Sequence, residues 1–507
     1  MDKIEIWFDS GGDKVHKDRK NLHKTFRISI EVSIEFERVT VSTSNRRSPK
    51  FIMTSTQFNF SLIQSARLGN DRQVSTALAR GAQVNTTDAQ GTTALMFAAQ
   101  KGFTQIVDLL IEAGADLNIH RSQFGTTALM LAAAAQQLGV VQQLLARGVD
   151  LNATNEDGST ALMGATLAGS VEIVDLLLDA GANVLTIDRD GDNALNIAII
   201  QNHPQIVHRL LTAGADIHDR RHDGKTPLLL IPAPGDVTML NLLLAAGANP
   251  QDIDREGDSA LLIAAEQGYV DLIKPLIHAG ADVNLQNQDG WTPLIAATAA
   301  GNREIVATLL AAGADPTLQS QDLETALHLA AIEGNPDLFR LLLGHGAKTD
   351  MITTWGDTPL VLATIHEHTA AVAAMLKLKP DLTAHQQGAT AFGLAIINCY
   401  SEIAQLLLDH GVSPELTLKD GQTALIVSAI NGNVALVRSL IAAGAQLNPQ
   451  DDTGATALMW ATHHQDRAII ELLLAAGADL TYKNHGGLTA IDLAEINHDH
   501  LSIDLLK

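Results

Sequence analysis

The sequence predicts an all-α solenoid, elongated and curved, built from short helix pairs that repeat along the chain. Glycine recurs at intervals of about 33 residues, and a period of this length marks a repeat architecture. The segments between these glycines carry apolar residues at helical spacing. Aromatic residues make up only 4% of the chain, which favours closely packed helices with small aliphatic cores over a β-sandwich.

One glycine, which we name the turn glycine, opens nearly every repeat. Successive turn glycines are mostly 33 residues apart, with one step of 34 and one of 32, and leucine replaces glycine once. The positions are Gly91, Gly125, Gly158, Gly191, Gly224, Gly257, Gly290, Leu323, Gly356, Gly388, Gly421, Gly454 and Gly487. A degenerate opening repeat starts at Ser61, so we count fourteen repeats and number them in chain order. Repeat 2 opens at Gly91.

Each repeat is expected to hold two helices and a turn-rich connection. A threonine stands where the first helix needs an amino-terminal cap, followed by Ala or Pro at the first helical position; examples are Thr93, Thr160, Thr292 and Thr423. Apolar stripes such as Leu95, Ala98 and Ala99 are too short to form stable helices alone, so neighbouring repeats must cover them.

After the second helix, a glycine such as Gly114 stops the helix, and residues 115–123 run out and back towards the next repeat. We name this connection the finger. A short oxygen-bearing side chain recurs three residues before the turn glycine, where it is expected to brace the turn. Examples are Asp88, Asn155, Asp188 and Asp254.

Two repeats, near 224–256 and 356–387, break the pattern. The first places Pro232 and Pro234 where its first helix should end, so that helix should stop early. The second has Lys379-Pro380 in place of the usual Gly-Ala, so its second helix lacks the glycine stop. These repeats either form soft seams in the array or are absorbed by their neighbours. The finger before Gly125 is one residue longer than the others.

Residues 1–57 differ from the array that we assign to 58–507. They carry a net charge of +3, against −26 for the rest of the chain. Apolar residues alternate with polar ones from Phe26 to Phe36, a strand pattern without a second strand to pair with. The segment is either a disordered or docking tail, or the natural start is Met53.

Composition excludes several classes of function. The net charge of −23 disfavours nucleic acid and anionic lipid as partners. A single cysteine, Cys399, permits no internal disulfide and no thiolate metal cluster, so a reducing, cytoplasmic location is expected. We find no apolar run near the ~20 residues of a membrane span, and the amino terminus lacks the apolar stretch of a signal peptide.

No catalytic, cofactor-binding or metal site is predicted. Phosphate loops, HExxH, paired zinc motifs and nucleophile elbows are not found in the sequence. Cys399 replaces the glycine between two helices and is interpreted as an inert thiol. His463 and His464 should diverge because they are adjacent on a helix, and Trp460 is expected in the core.

The string Thr-Ala-Leu-His-Leu-Ala at residues 325–330 closely resembles the T-P-L-H-x-A core of the ankyrin repeat. The resemblance covers about nine-tenths of the chain. It implies a helix pair with a β-turn finger in each repeat. It further implies that the fingers and the exposed edge of the first helices form a concave face that grips partner proteins.

Matching repeat by repeat selects candidate partner-binding residues on the fingers. They are aromatic residues, arginines and one histidine, and aromatics and Arg are enriched at binding hot spots. The residues are Phe124, Arg189, Arg221, His222, Arg255, Trp291 and Trp355. The tryptophans could instead shield a neighbouring finger, and Arg221 could be a solvated charge beside Arg220.

The sequence therefore predicts a monomeric, non-catalytic scaffold, adaptor or inhibitor that binds partner proteins, including partners with basic patches. An enzyme with an unrecognised site is one alternative. A tethering protein that acts through the amino-terminal segment is another.

Overall fold

The computed structural model of the protein describes residues 55–383, 385–386 and 389–507. The chain divides between Met53 and Thr54, and the part from Thr54 onwards holds the repeat array. The expected strand between Phe26 and Phe36 and the alternative start at Met53 lie outside the described residues, as does most of the segment assigned to 1–57.

Fourteen helix pairs follow one another in the described part of the chain. The first helices of repeats 1–5 and 7–14 are α1 Ser55–Leu68, α3 Ala94–Lys101, α5 Ala128–Ala134, α7 Ala161–Leu167, α9 Ala194–Ile200, α12 Ala260–Gln267, α14 Pro293–Ala299, α16 Ala326–Glu333, α18 Pro359–Ile365, α20 Ala391–Ile397, α22 Ala424–Ile430, α24 Ala457–His463 and α26 Ala490–Ile496. In repeat 6, a 3-10 helix at Pro227–Leu230 takes this place.

The second helices are mostly nine residues long. They are α2 Asp71–Ala79, α4 Thr104–Glu112, α6 Leu138–Ala146, α8 Val171–Asp179, α10 Pro204–Thr212, α11 Val237–Ala245, α13 Val270–His278, α15 Arg303–Ala311, α17 Pro336–Gly344, α19 Thr369–Leu376, α21 Ser401–Asp409, α23 Val434–Ala442, α25 Arg467–Ala476 and α27 His500–Leu506. Another short 3-10 turn spans Lys419–Gly421.

The threonine caps are confirmed. The hydroxyl oxygen of Thr93 accepts a hydrogen bond from the backbone N–H of Met96, and Thr160 and Thr292 accept equivalent bonds at the start of α7 and α14. Each bond satisfies a backbone donor that the helix itself leaves without a partner. The sequence therefore sets where nearly every first helix begins.

The core runs along the array between consecutive helix pairs. First helices pack on the first helices of the next repeat, and second helices pack on second helices. Leu95, Ala98 and Ala99 of α3 and Ile106 and Val107 of α4 are all at most 2% exposed. Small residues on the first helices let these helices approach closely, as the low aromatic content predicts.

Repeat 1 differs from the expected start at Ser61, because α1 already begins at Ser55 and is 14 residues long.

The early stop in repeat 6 is confirmed. The 3-10 helix has four residues and ends before Ile231, whose backbone is extended with ψ 120°. Pro232 causes this ending, because proline disfavours helical dihedral angles in the residue before it and offers no N–H to continue the helix.

Repeat 10 lacks its glycine stop, as predicted. Helix α19 ends at Leu376, and Lys379 adopts the left-handed conformation with φ +53° where other repeats have glycine. The finger that follows contains a two-residue antiparallel strand pair, β1 His385–Gln386 and β2 Ala389–Thr390.

A left-handed residue also links the two helices within each repeat. Glycine occupies this position in eight repeats, and the other residues with positive φ there are Gln136, Asn202, Glu367, Cys399, Gln465 and His498. Cys399, with φ +62°, therefore takes the conformation of the glycine that it replaces. The turn between the helices is set by the repeat geometry rather than by the residue present.

Leu323 occupies the turn-glycine position of repeat 9 with φ +60°, and its side chain is exposed. The left-handed conformation costs a residue with a Cβ roughly 1–2 kcal/mol. We expect Leu323→Gly to raise the free energy of unfolding by about 1 kcal/mol in urea titrations followed by circular dichroism. Leu323→Ala keeps the Cβ and should give no such gain; equal gains from both variants would contradict the explanation by strain.

Side-chain acceptors on the fingers bind the backbone of the next finger. The Oδ1 atoms of Asn118 and Asn284 accept from the N–H groups of Asp150 and Asp315 at 2.9 and 2.8 Å. Leu185 stands at the equivalent position of the finger before repeat 5 and offers no acceptor. This acceptor is therefore missing between the fingers that precede repeats 5 and 6. The soft seam at repeat 6 stays a prediction.

Candidate protein-binding face

The turns of several fingers are braced by a side-chain oxygen, as predicted. The Oδ1 atom of Asp88 accepts hydrogen bonds from the N–H groups of Gln90 and Thr92 at 3.0 and 2.8 Å. Asn155 and Asp188 accept the equivalent pairs in their fingers. These side chains are engaged in structure, which confirms their interpretation as turn braces.

Backbone hydrogen bonds also join neighbouring fingers. The N–H of Arg189 donates to the carbonyl of Asp157 at 2.8 Å, and that of Thr354 donates to the carbonyl of Asp322 at 3.0 Å. The residue just before the turn glycine, which we name the finger tip, accepts these bonds. Successive tips are therefore held in a fixed row.

The three aromatic candidates differ in exposure. Phe124 is 54% exposed and Trp355 is 66% exposed, and both are finger tips. Trp291 follows a turn glycine instead, and its side chain packs partly against the core. The fingers thus present two large aromatic surfaces to solvent, whereas Trp291 contributes mainly to packing.

Arg189, His222 and Arg255 lie side by side on consecutive fingers, each immediately before a tip, and all three are exposed. A guanidinium nitrogen of Arg189 lies 3.9 Å from a carboxylate oxygen of Asp157, with more than 60% of each side chain exposed. An exposed pair at this distance contributes little to stability, so Arg189 keeps the freedom to contact a partner.

Arg221 is not a solvated charge. Its Nε lies 3.2 Å from Oδ1 of Asp192, and only 19% of the arginine side chain and 7% of the aspartate side chain are exposed. Burial raises the pKa of Asp192 to about 6, although Arg221 acts to lower that pKa. The neighbouring Arg220 donates to the carbonyl oxygens of Gly224 and Ile253. Both arginines therefore join structural elements of the array.

An apolar stripe on the first helices was missed by the sequence reasoning. It occupies the fourth helical position, half-buried against the core, and recurs with the 33-residue period. Its members are Leu131, Ile197, Ile263, Leu329, Leu362, Val427, Trp460 and Leu493. Aligning the repeats by their turn glycines would have revealed the stripe.

Trp460 shows where this stripe lies. Its indole N–H donates to Oδ2 of Asp451, a finger residue, at 2.7 Å. The expectation that Trp460 is in the core is met only in part: the side chain packs against the core, but it is half-buried and also contacts a finger. The stripe and the fingers therefore border the same face.

The expected divergence of His463 and His464 was wrong. Their ring centroids are 5.2 Å apart, and Trp460 stacks on His464 at 6.0 Å and meets His463 edge-on at 5.9 Å. His463 and His464 stand three and four residues after Trp460, and His464 keeps helical backbone angles, so both imidazole rings lie on the side of the helix that carries the indole ring. An aromatic cluster results at the end of α24.

Three carboxylates, those of Asp254, Glu256 and Asp258, come within 4.8 Å of one another in the described residues. Asp254 braces its own turn by accepting from the N–H groups of the other two. Asn287 donates to Asp258 at 2.7 Å. The cluster is thus part of the finger framework. Across the described ranges, no helix has both the length and the apolar character needed to span a membrane.

Comparison with known proteins agrees with the geometry. The family model described as ankyrin repeats in three copies matches overlapping segments, namely residues 62–155, 133–221, 203–287, 229–320, 261–352, 327–417 and 411–484. No curated protein gives a significant match to the chain. Helix pairs, braced fingers and this match along most of the sequence agree: the chain belongs to the ankyrin-repeat family.

Proposed function

We propose that the array is a non-catalytic scaffold, adaptor or inhibitor that binds partner proteins on the face formed by its fingers and first helices. Ankyrin repeats are general protein–protein interaction modules. The observation that carries the proposal is the exposure of two aromatic finger tips, Phe124 and Trp355, on a row of fingers joined by backbone hydrogen bonds.

The energetics of a rigid face support this function. Fingers that are braced and joined by backbone bonds lose little entropy when a partner binds, so a few anchors suffice for affinity. Phe124 and Trp355 are the anchors, and Arg189, His222 and Arg255 are polar contacts beside them. Arg221 and Trp291 also belong to the proposed binding residues, but their role is to hold the fingers in place. Arg221 pairs with Asp192, and Trp291 packs against the core. The half-buried apolar stripe adds contact area.

The charge of the chain supports partners with basic patches. Asp and Glu exceed Lys and Arg by 23 residues, and opposite charge on a partner speeds association. The single cysteine supports a reducing compartment, and we place the protein in the cytoplasm. We propose that the array acts as a monomer.

Affinity capture tests the proposal with the full chain as bait. A partner captured by the wild-type chain should be lost from the double variant Phe124→Ala/Trp355→Ala, because removing a buried aromatic anchor typically weakens binding by about 30-fold or more. Leu501→Ala is the control: Leu501 is 63% exposed but lies on α27, away from the fingers. Equal capture by the double variant would place the contact elsewhere and contradict the proposal.

A further inference from the structure

The finger tips of six consecutive repeats carry a carboxylate. All six side chains are exposed, and each stands immediately before the turn-glycine position of its repeat, which Leu323 occupies in repeat 9. We name them the acidic tip row: Asp157, Asp190, Asp223, Glu256, Asp289 and Asp322.

An exposed aromatic residue bounds this row at each end. Phe124 is the tip just before Asp157, and Trp355 is the tip just after Asp322. Their side chains are 54% and 66% exposed. Six charges and two apolar anchors therefore occupy one structural position in eight successive fingers.

The spacing of the row is fixed by the fold. Backbone bonds between consecutive fingers, such as Gln288 N–H to Glu256 carbonyl at 2.9 Å and Gln321 N–H to Asp289 carbonyl at 2.8 Å, hold the tips at the repeat distance. Packed helices lie about 8–10 Å apart, so neighbouring tips are separated by about 9 Å. An extended chain advances about 3.3 Å per residue, so about three of its residues span the distance between neighbouring tips.

We propose that the tips from Phe124 to Trp355 dock one extended, basic polypeptide segment of a partner protein. This inference rests on the proposed function and names the partner class of that face. The segment carries Lys or Arg at about every third residue, opposite the acidic tip row, and an apolar side chain at each end. Seven steps of about 9 Å correspond to roughly twenty extended residues.

The charges near the row leave it acidic. Three exposed arginines, Arg189, Arg220 and Arg255, stand on these fingers, and Arg220 lies 3.2 Å from Asp252. Arg189 lies 3.9 Å from the tip carboxylate of Asp157, and Arg221, which also pairs with Asp192, lies 3.8 Å from that of Asp223. Glu156 adds a further negative charge next to Asp157. Among the described residues, Asp190, Glu256, Asp289 and Asp322 make no ion pair, so a basic segment would meet negative charge at these four tips. Its apolar ends would cover the two aromatic rings.

Two synthetic peptides of about twenty residues test the inference, by fluorescence anisotropy with the full chain. Both have leucine at each end and the same number of arginine and serine residues between. One places arginine at every third position, and the other places all arginines together in the middle. The periodic peptide should bind at least about fivefold more tightly, because only its charges match all six tips.

Two protein variants with equal change in net charge separate local contact from general attraction. The tip variant combines Asp190→Asn, Glu256→Gln, Asp289→Asn and Asp322→Asn. The control variant neutralises four exposed acids on second helices: Glu172→Gln, Asp179→Asn, Asp271→Asn and Glu304→Gln. The tip variant should bind the periodic peptide at least about tenfold more weakly, and the control within about twofold of the wild type.

Several outcomes would overturn the inference. They are equal binding of the two peptides, equal weakening by the two variants, or no binding of the periodic peptide by the wild-type chain. Unfolding curves that match the wild type should show that both variants fold. A partner could also depend on Phe124 and Trp355 for capture and yet bind the tip variant as well as the wild type. That result would leave the proposed function standing and refute the proposal that the partner segment is basic.

Discussion

Replacing Asn196 with methionine is expected to raise the free energy of unfolding by about 1–3 kcal/mol. Asn196 lies in α9 with 0% of its surface exposed. Neither the nitrogen nor the oxygen of its side-chain amide has a hydrogen-bond partner among the described residues. A buried polar group without a partner loses its hydration and gains nothing in return. Removing the amide should therefore stabilise the array.

Methionine is the natural choice because the same helical position holds Met96, Met130, Met163 and Met459 in other repeats. Each is buried, so the fold accommodates this side chain there. Urea titration followed by circular dichroism measures the effect. The reverse change, Met163→Asn, is the matched control and should destabilise by a similar amount or more. A less stable Asn196→Met variant would show that the amide is satisfied or that the site cannot hold methionine.

Replacing His328 with methionine is expected to lower the free energy of unfolding at pH 7.5 and to make that free energy fall less as the pH decreases. His328 occupies the same helical position in α16 and is 0% exposed. The backbone N–H of Thr325 donates to its Nδ1 at 3.0 Å, so Nε2 carries the proton. Nε2–H donates to the carbonyl oxygens of Met351 and Asp357 at 3.1 and 3.2 Å. His328 therefore ties repeat 9 to the next finger.

The loss of these two hydrogen bonds to buried acceptors should cost about 1–3 kcal/mol at pH 7.5. Burial lowers the pKa of His328 to about 4 from its ordinary value of 6.5, although the bonds to Met351 and Asp357 act to raise the pKa. The unfolded chain thus takes up a proton near pH 6.5 that the folded chain accepts only near pH 4. This contribution to stability is present above pH 6.5 and is lost as the pH falls.

Between pH 7.5 and 5 the wild type should lose about 2 kcal/mol through His328 alone. Burial raises the pKa values of Asp192 and Asp357 to about 6, and these groups act in the opposite sense because their folded forms bind protons first as the pH falls. Both aspartates are present in the wild type and in His328→Met, so the difference between the two isolates the histidine. Urea titrations of both proteins at pH 7.5 and 5 measure this difference in the free energy of unfolding. An equal loss of stability in the two proteins would contradict the explanation.

The sequence predicted the repeat length, the helix pairs, their caps and the early stop in repeat 6. These features depend on local rules: a threonine hydroxyl caps the helix that follows it, and Pro232 ends the helix before it, in any tertiary context. The family was identified for the same reason, since the turn glycines recur with the framework and are independent of any partner.

Predictions about the surroundings of individual side chains were less successful. Trp460 and Arg221 were judged from residue type and position in the chain, but the indole of Trp460 contacts a finger and Arg221 pairs with Asp192. Such contacts join residues that belong to different elements or different repeats. The local pattern around either residue contains no information about the partner that the neighbouring repeat supplies.

The sequence by itself determined the ankyrin architecture and the number of repeats, because each repeat encodes its own helices and turns. Only the tertiary structure decided which finger residues are free to meet a partner, since exposure depends on how adjacent repeats stack. It left Phe124 and Trp355 exposed, packed Trp291 against the core, and aligned the six acidic tips in one row. The row exists because backbone bonds between fingers place residues about 33 positions apart side by side.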